Sequence, residues 1–493
     1  MGDDEITIFN TLGREQETFQ PADPDHVKMY VCGVTVYDDC HLGHARAYVV
    51  FDVVRRYLEE RGFTVDYVEN FTDVEDKIFD RAQELGIGWK ELADRYIDAY
   101  IKVMDKLNIK HAQEAREGKK SPRVSDTIPE IIDHIQGLIE NDHAYEVEGD
   151  VYFAVERFDD YGKLSGQDRD EMESGARVDV DERKQSPMDF ALWKSVSEEE
   201  RKNGVPSWES PWGQGRPGWH IECSVMSQTH LGDTLDIHGG GQDLIFPHHE
   251  NEIAQSEALT GETFSTYWLH NGFVTIDDEK MSKSEGNFYT IKELIEDHNL
   301  DPMTLRYFIL TRHYRSPIDF SFDRLEEAEE ALGRLEALYR RFGEVLNLEF
   351  EEGKIDLTLP ELAPLQTRFH ESMSRDFNTA EALGYLQDWA GNWNRCLNEV
   401  ESSRKVSPDM RERIEESREW FRYVLEDVLG ITLESGSAAD DAVPDRIKEM
   451  LEKREQARER GDYQTADELR DQIQQEGYVV EDTPQGTRVV TKS

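Results

Sequence analysis

The segment from Val27 to Glu69 constrains this chain more than any other. Val27–Val34 (VKMYVCGV) is a continuous apolar run of strand type, followed by a polar turn, Thr35–Cys40. A helical pattern, Gly43–Arg61, closes at Gly62, and Phe63–Glu69 reads as a second strand. Strand, crossover helix and strand within about 40 residues make a βαβ unit, and hence a parallel sheet flanked by helices. Leu235–His238 opens a third strand. The class is therefore α/β, with a parallel sheet at its centre.

A chain of 493 residues exceeds one core, and domain-size statistics suggest roughly three or four domains. Glu91–Leu107 is helical, and a polar stretch follows around Gly118–Pro122. Alternation at Val147–Val155 and a Gly/Pro/Trp-rich stretch, Pro206–Gly218, suggest an inserted domain over residues 121–215. It divides the α/β fold into residues 1–120 and 216–288. Asp323–Phe342 is strongly helical, and helical periodicity continues to about Leu433. Glu434–Val443 reads as a linker, and the last fifty residues form a small unit with one long helix, Pro444–Arg460.

Charge describes the solvent before it describes the reaction. Asp and Glu number 105 against 56 Lys and Arg, a net of −49, with only 20 Lys. The excess is spread along the chain, which argues against a disordered acidic tail. Such a Lys-poor surface resembles that of proteins from salt-accumulating halophiles, where molar salt screens self-repulsion. Four scattered cysteines (Cys32, Cys40, Cys223, Cys396) fit a reducing cytoplasm, not a disulfide framework. The acidic start, Met1–Glu5, lacks a secretory layout. No run of about 18 apolar residues is present, so no membrane helix is expected.

Three constellations carry chemistry. His41-Leu42-Gly43-His44 follows the first strand and opens the helix, where unpaired N–H groups and the dipole suit a phosphate. Two histidines near a turn are ordinary when alone. However, Lys280-Met281-Ser282-Lys283-Ser284 lies 236 residues beyond His44, followed by Gly286-Asn287. Two lysines within four residues suit a triphosphate whose transition state they stabilise more than its ground state. The plain alternative is an exposed basic turn. Third come Trp219–Cys223 (WHIEC), Asp236–Gly241 (DIHGGG) and His248–Glu252 (HHENE). His248 and Glu252 are four apart, on one helical face. With Cys223 and Cys32 they make an S₂NO tetrahedron suited to zinc. Taken singly, Cys32 reads as a small core residue, and a His–Glu pair as a surface helix contact.

HLGH and KMSKS together, in this order and spacing, resemble the signature of class I aminoacyl-tRNA synthetases. The third constellation is similar to that of the cysteine-specific family within the class. The likeness also takes in TDVEDK (Thr72–Lys77), YRSP (Tyr314–Pro317) and DFNT (Asp376–Thr379). It implies a Rossmann-type, doubly wound parallel sheet with both signature motifs at the carboxyl ends of the strands. It assigns zinc, one per chain, to Cys32, Cys223, His248 and Glu252, and the amino-acid pocket to Thr72, Trp219 and His238. ATP, entering with Mg²⁺, falls to His41, Gly43, His44, Lys280, Met281, Ser282, Lys283 and Ser284; His41, His44, Lys280 and Lys283 have the catalytic roles.

The expected reaction is ATP-dependent loading of L-cysteine onto tRNA(Cys) through an adenylate, by a cytoplasmic monomer with no membrane partner. The resemblance further implies a stem-contact region at 289–340, a tRNA-binding helical bundle at 341–435 and an anticodon-binding unit at 436–493. Residues 446–493 hold 9 basic and 11 acidic residues, a net of −2; this near-neutral unit, with Arg454, Arg458, Arg460, Arg470 and Arg488, suits contact with a polyanion. Two residues depart from the family pattern: Glu285 replaces an apolar residue after KMSKS, and Val489 stands where an aromatic is common. A ligase joining cysteine to an amino sugar would share the motifs but lack the residues beyond about 340. A catalytically silent paralogue is the other alternative. Cys40 and Cys396 read as structural.

Overall fold

Four parallel strands form the centre of the molecule: β1 (His26–Thr35), β2 (Thr64–Thr72), β3 (Leu235–Gly241) and β4 (Ser265–Asn271), in the order β4–β3–β1–β2. The structure, a computed structural model, describes residues 5–119, 121–167, 183–276, 279–280, 288–347, 351–352, 357–433, 445–460, 462–475, 478–483 and 486–491. Helix α1 (Leu42–Glu60) crosses from β1 to β2, as the sequence pattern predicts. Strand order reverses between β1 and β3, so a crevice opens at their carboxyl ends, where α/β sheets of this kind bind ligands. The Rossmann-type expectation holds.

Register within the sheet has a local cause. β1 takes one extra residue against β2 between Val31 and Val34, a bulge that re-aims side chains. Gly33 sits there because a Cβ would lie 1.6 Å from the Asn70 carbonyl oxygen. Helices α2 (Trp219–Leu231) and α3 (Glu250–Thr260) flank β3 in the chain. Beyond β4, short strands β5 (Val274–Ile276), β6 (Glu279–Lys280) and β7 (Ile318–Phe320) form a second sheet, with α4 (Pro302–Leu310) preceding β7. A five-stranded antiparallel sheet forms within Ala144–Pro217.

The chain divides into two compact units. One comprises Met1–Ala328, Thr367–Leu383 and Val428–Gly430, and the other Glu329–Gln366, Gly384–Asp427 and Ile431–Ser493. In the second, Phe342, Trp389, Trp393 and Phe421 form an aromatic core, with Phe342 and Trp393 ring centroids 5.1 Å apart. The long helix expected at Pro444–Arg460 is observed as Asp445–Glu459, but it is not alone: a second helix, Tyr463–Gln475, and a hairpin, Tyr478–Thr483 with Gly486–Thr491, follow it. Ile447, Met450, Ile473 and Val480 make its small core. The tail's short β-branched runs carried the hairpin signal. The helix Phe322–Asn347 runs through residue 340, where a boundary was expected. The proposed linker, residues 434–443, lies outside the described residues. Among the described residues, no helix is long and apolar enough to cross a membrane.

One ionic knot fixes α1 in the first unit. Asp52 Oδ2 accepts from Arg56 Nε at 2.7 Å and Arg306 Nη2 at 2.5 Å, while Oδ1 accepts from the Lys110 amide at 2.8 Å. Arg306 also donates to the Leu107 and Leu429 carbonyls, both at 2.8 Å. Burial raises the Asp52 carboxyl, but the two guanidiniums outweigh it and the net shift is downward. Asp52→Asn should leave two buried cations underpaired and lower unfolding free energy by roughly 3–5 kcal/mol. Urea titration followed by tryptophan fluorescence measures this; a loss under about 1 kcal/mol would contradict the knot's importance.

Candidate active site and metal centre

A cleft of about 490 Å³ opens at the carboxyl ends of β1 and β3. Its lining includes Cys32, Gly33, Thr35, Tyr37, His41, Gly43, His44, Lys77, Trp219, Gly240, Gly241, Asp243, Asn271, Gly272 and Phe288. That volume suits a nucleotide-sized ligand. Trp219, at the first turn of α2, is 39% exposed although aromatic.

His41 and His44 cap α1 with their own rings. The Gly43 amide donates to His41 Nδ1 at 3.1 Å, and the His41 amide donates to His44 Nδ1 at 3.3 Å. This is a capping box built from imidazoles in place of Ser and Glu. Because each Nδ1 accepts, a neutral ring must carry its proton on Nε2, which becomes a donor. The rings stack with centroids 3.8 Å apart, and Phe288 packs edge-on against His41 at 5.2 Å. HLGH thus presents a helix N-terminus and two imidazole donors to the cleft, a site for anionic oxygen.

Cys32, Cys223, His248 and Glu252 converge beneath the cleft, with one ligand atom from each within 4.8 Å of the others. All four are buried. The β1 bulge places Cys32, α2 carries Cys223, and a kinked segment, Ile245–His249, with Phe246 in an extended conformation, leads His248 into α3 and Glu252. His248 Nε2 lies 2.9 Å from Glu252 Oε1, and Cys32 Sγ donates to the same oxygen at 3.4 Å. The other oxygen, Oε2, is held by His238 Nε2 at 2.7 Å. Behind these, His249 Nδ1 meets His270 Nε2 at 2.8 Å, and His270 Nδ1 meets Thr11 Oγ1 at 2.8 Å. A second donor set, Cys32, His238, His249 and Glu252, shares two members with the first.

Electrostatics favours a cation here. The hydrogen bond from Cys32, aided by His248, pushes the Cys223 thiol down to about 6 despite burial. Burial and then Cys223 hold the Cys32 thiol well up. Burial pulls His248 toward neutrality, but Glu252 and Cys223 prevail and raise it to about 10. Glu252 is held well below the usual carboxylate range, its burial outweighed by His238 and His248. Two sulfurs, one nitrogen and one oxygen, all on buried residues, are a donor set that could hold a metal ion such as zinc, and His238 bonded to Glu252 would be an outer partner of such a site.

The cleft and the metal cluster together contain most residues singled out from the sequence. Trp219 reaches both, its ring stacking on His248 at 4.4 Å. His238 and Thr72 are buried behind the cleft lining. Lys280 lies on β6, paired with Thr275 of β5. Met281, Ser282, Lys283, Ser284 and Glu285 lie outside the described residues. Val489 pairs with Val480 in the C-terminal hairpin, and Cys40 and Cys396 are buried free thiols. Sequence reasoning missed Gly33, His249, His270, Lys77 and Asp243. A lone glycine within an apolar strand was the available signal for the bulge; Lys77 stood unused in TDVEDK.

Metal uptake by this cluster has a signed pH dependence. Above pH 6 Cys223 is mainly thiolate, whereas Cys32, which burial and Cys223 hold well above its ordinary value, and His248, raised to about 10, still carry protons that a metal must displace. Zinc affinity of the metal-free protein should therefore rise by about two decades per pH unit between roughly 7 and 9, with about two protons released. Calorimetry in buffers of different ionisation enthalpy measures the release; a pH-independent affinity would contradict the charge assignment.

Comparison with known proteins agrees with this geometry. Residues 18–330 match the family described as tRNA synthetases class I (C) catalytic domain, residues 368–434 a DALR domain, and residues 440–489 the cysteinyl-tRNA ligase anticodon binding domain. The chain is 47% identical to a cysteine–tRNA ligase of Geobacillus thermodenitrificans, covering 98% of each chain. It is also 47% identical to that of Caldicellulosiruptor saccharolyticus, covering 98% of this chain and 99% of the relative. Among solved structures, Mycobacterium tuberculosis methionyl-tRNA synthetase in complex with methionyl-adenylate shares the fold, with a TM-score of 0.60 at 16% identity over 82% of this chain and 92% of that one. With a catalytic-domain match over more than half its length and relatives of this identity, the chain belongs to the class I aminoacyl-tRNA synthetases, in the family of cysteine–tRNA ligases.

Proposed function

We propose that this protein joins L-cysteine to tRNA(Cys) at the expense of ATP, through a cysteinyl-adenylate. The observation that carries the reading is the Cys32–Cys223–His248–Glu252 cluster directly under an HLGH cleft. Those four residues are the proposed zinc ligands. Zinc held there would supply a soft Lewis-acid position that a thiolate fills and a neutral hydroxyl does not. Discrimination of this kind is needed because an ordinary pocket cannot reject serine, which differs from cysteine by one atom, by a large factor.

The chain's own groups do the rest. Trp219 and His238 wall the amino-acid pocket, and Thr72 lies near it. His41 and His44 donate from Nε2 to phosphate oxygens of ATP, which enters with Mg²⁺. Gly43 and the α1 N-terminus let the nucleotide approach the backbone. Lys280 and Lys283, with Met281, Ser282 and Ser284, belong to the ATP-binding segment. As the cysteine carboxylate attacks the α-phosphorus, these fixed charges stabilise the transition state, and pyrophosphate leaves. The terminal ribose 2′-hydroxyl of the tRNA then attacks the adenylate carbonyl. Residues 1–120 and 216–288 form the catalytic fold in this scheme, 121–215 the connective insert and 289–340 the stem contact. Residues 341–435 and 436–493 hold the tRNA body and anticodon. We assign the protein to the cytoplasm as a monomer, and read its −49 charge as an adaptation to high salt.

Aminoacylation in molar KCl, with zinc content measured, tests the proposal. Charging with cysteine and not serine, at one zinc per chain, is expected. Cysteine-dependent exchange of pyrophosphate with ATP but no tRNA charging would favour the amino-sugar ligase, and no exchange at any salt would overturn the reading. Cys223→Ser should lose zinc and cysteine binding together; full cysteine affinity without metal would refute the metal's role. Lys283→Ala should slow adenylate formation by ~100-fold or more, as loss of a preorganised charge does; an unchanged rate would remove it from the assignment.

A further inference from the structure

Two residues beyond HLGH, α1 carries Arg46, whose side chain is 0% exposed. Its charge is received by main-chain carbonyls. Nη1 donates to Ile309 at 3.2 Å, and Nη2 lies 3.1 Å from His313, 3.2 Å from Tyr314 and 2.7 Å from Ser316. Ile309 is near the C-terminal end of α4, where a cation complements the helix dipole. The segment His313–Ser316 is therefore pinned to the helix that bears both signature histidines.

That segment in turn holds the cleft floor. The Gly272 amide donates to the Tyr314 carbonyl at 2.8 Å, and the Ile318 amide to the Phe273 carbonyl at 3.0 Å. Gly272 and Phe273 line the cleft. Contact is close enough that a Cβ on Gly272 would lie 2.6 Å from the Ser316 backbone. Directly after these residues β5 pairs in parallel with β7, and β5 pairs with β6 through Thr275 and Lys280. An unbroken path of hydrogen bonds and strand pairing thus runs from HLGH to the strand carrying Lys280.

We propose that Arg46 is a positioning residue for adenylate formation, setting the helix that carries His41 and His44 at a fixed distance from the β5–β6–β7 platform that carries Lys280. This rests on the function proposed above. Arg46 touches no reacting atom. A planar fork that spans several carbonyls at once suits the role, and a lysine, a single point of charge, cannot span them. Burial lowers the guanidinium to about 10, with Arg312 adding to the effect, so it remains charged at neutral pH.

The test is steady-state exchange of pyrophosphate with ATP in Arg46→Lys, Lys280→Ala and the double variant, with zinc content and cysteine KM measured. Misplacement of catalytic groups by a fraction of an ångström to one ångström costs up to ~100-fold in rate, so Arg46→Lys should lose kcat on that scale. Zinc content and cysteine KM should stay within about twofold. A merely structural role would not produce the decisive readout, which is coupling: once Lys280 is absent, Arg46→Lys should cost only about fivefold or less. Independent, multiplicative effects would overturn the inference, as would normal kcat in Arg46→Lys. If Arg46→Lys does not fold, Gly272→Ala displaces the same joint by steric contact, with the same kcat loss and the same coupling to Lys280 expected. Absence of exchange in the unmodified protein defeats the functional reading and this inference with it, whereas normal exchange in both joint variants defeats this inference alone.

Discussion

Burying two thiols, an imidazole and a carboxylate within 4.8 Å of one another is the constraint on which the rest of this structure depends. Left to themselves these groups oppose burial, since desolvation penalises each charge. The fold contains the problem by surrounding it. His238 fixes one Glu252 oxygen, His248 and Cys32 hold the other, and His249, His270 and Thr11 continue the polar chain into the interior. The elements that deliver the four groups come from distant parts of the chain, joined at the crevice where the strand order reverses. A donor set of this chemistry turns an electrostatic liability into a binding site for a soft cation.

The crevice places that cluster next to the HLGH cleft without any dedicated linker. Cys32 is on the strand that leads to HLGH, so β1 serves the buried donor cluster with one residue and the proposed phosphate site with the turn that follows. Gly33 makes the arrangement possible, because only a residue without a Cβ fits against the Asn70 carbonyl. The same economy of placement recurs in α1. Its first turn presents His41 and His44, its next residues pin the cleft floor through Arg46, and its middle is anchored by Asp52. One helix thus connects the site's chemistry to its mechanical support.

Much of this was legible in the sequence. The βαβ unit announced itself through an apolar run, a helical period and a second run, and its observed strands and helix match within a few residues. HLGH, KMSKS and the four metal-ligand candidates were visible as residue types at telling spacings. What could not be read locally were features created by three-dimensional neighbours. The β1 bulge arises from pairing with β2. The His249–His270–Thr11 chain links positions 11 to 270, and no local periodicity reports such a contact. Arg46 looked like any helical arginine until its carbonyl partners, more than 260 residues away, came together. The C-terminal hairpin was missed because its short runs were overshadowed by the charged helix before them.

The central claim is that the buried cluster holds zinc and that the substrate's sulfur selects itself by binding there. Zinc-edge X-ray absorption of the purified protein, alone and with cysteine or serine, addresses it most directly. The account predicts two sulfur neighbours at ~2.3 Å in the free protein, a third on adding cysteine, and no change on adding serine. A spectrum unaltered by cysteine, or one with fewer than two sulfur ligands at the start, would contradict it.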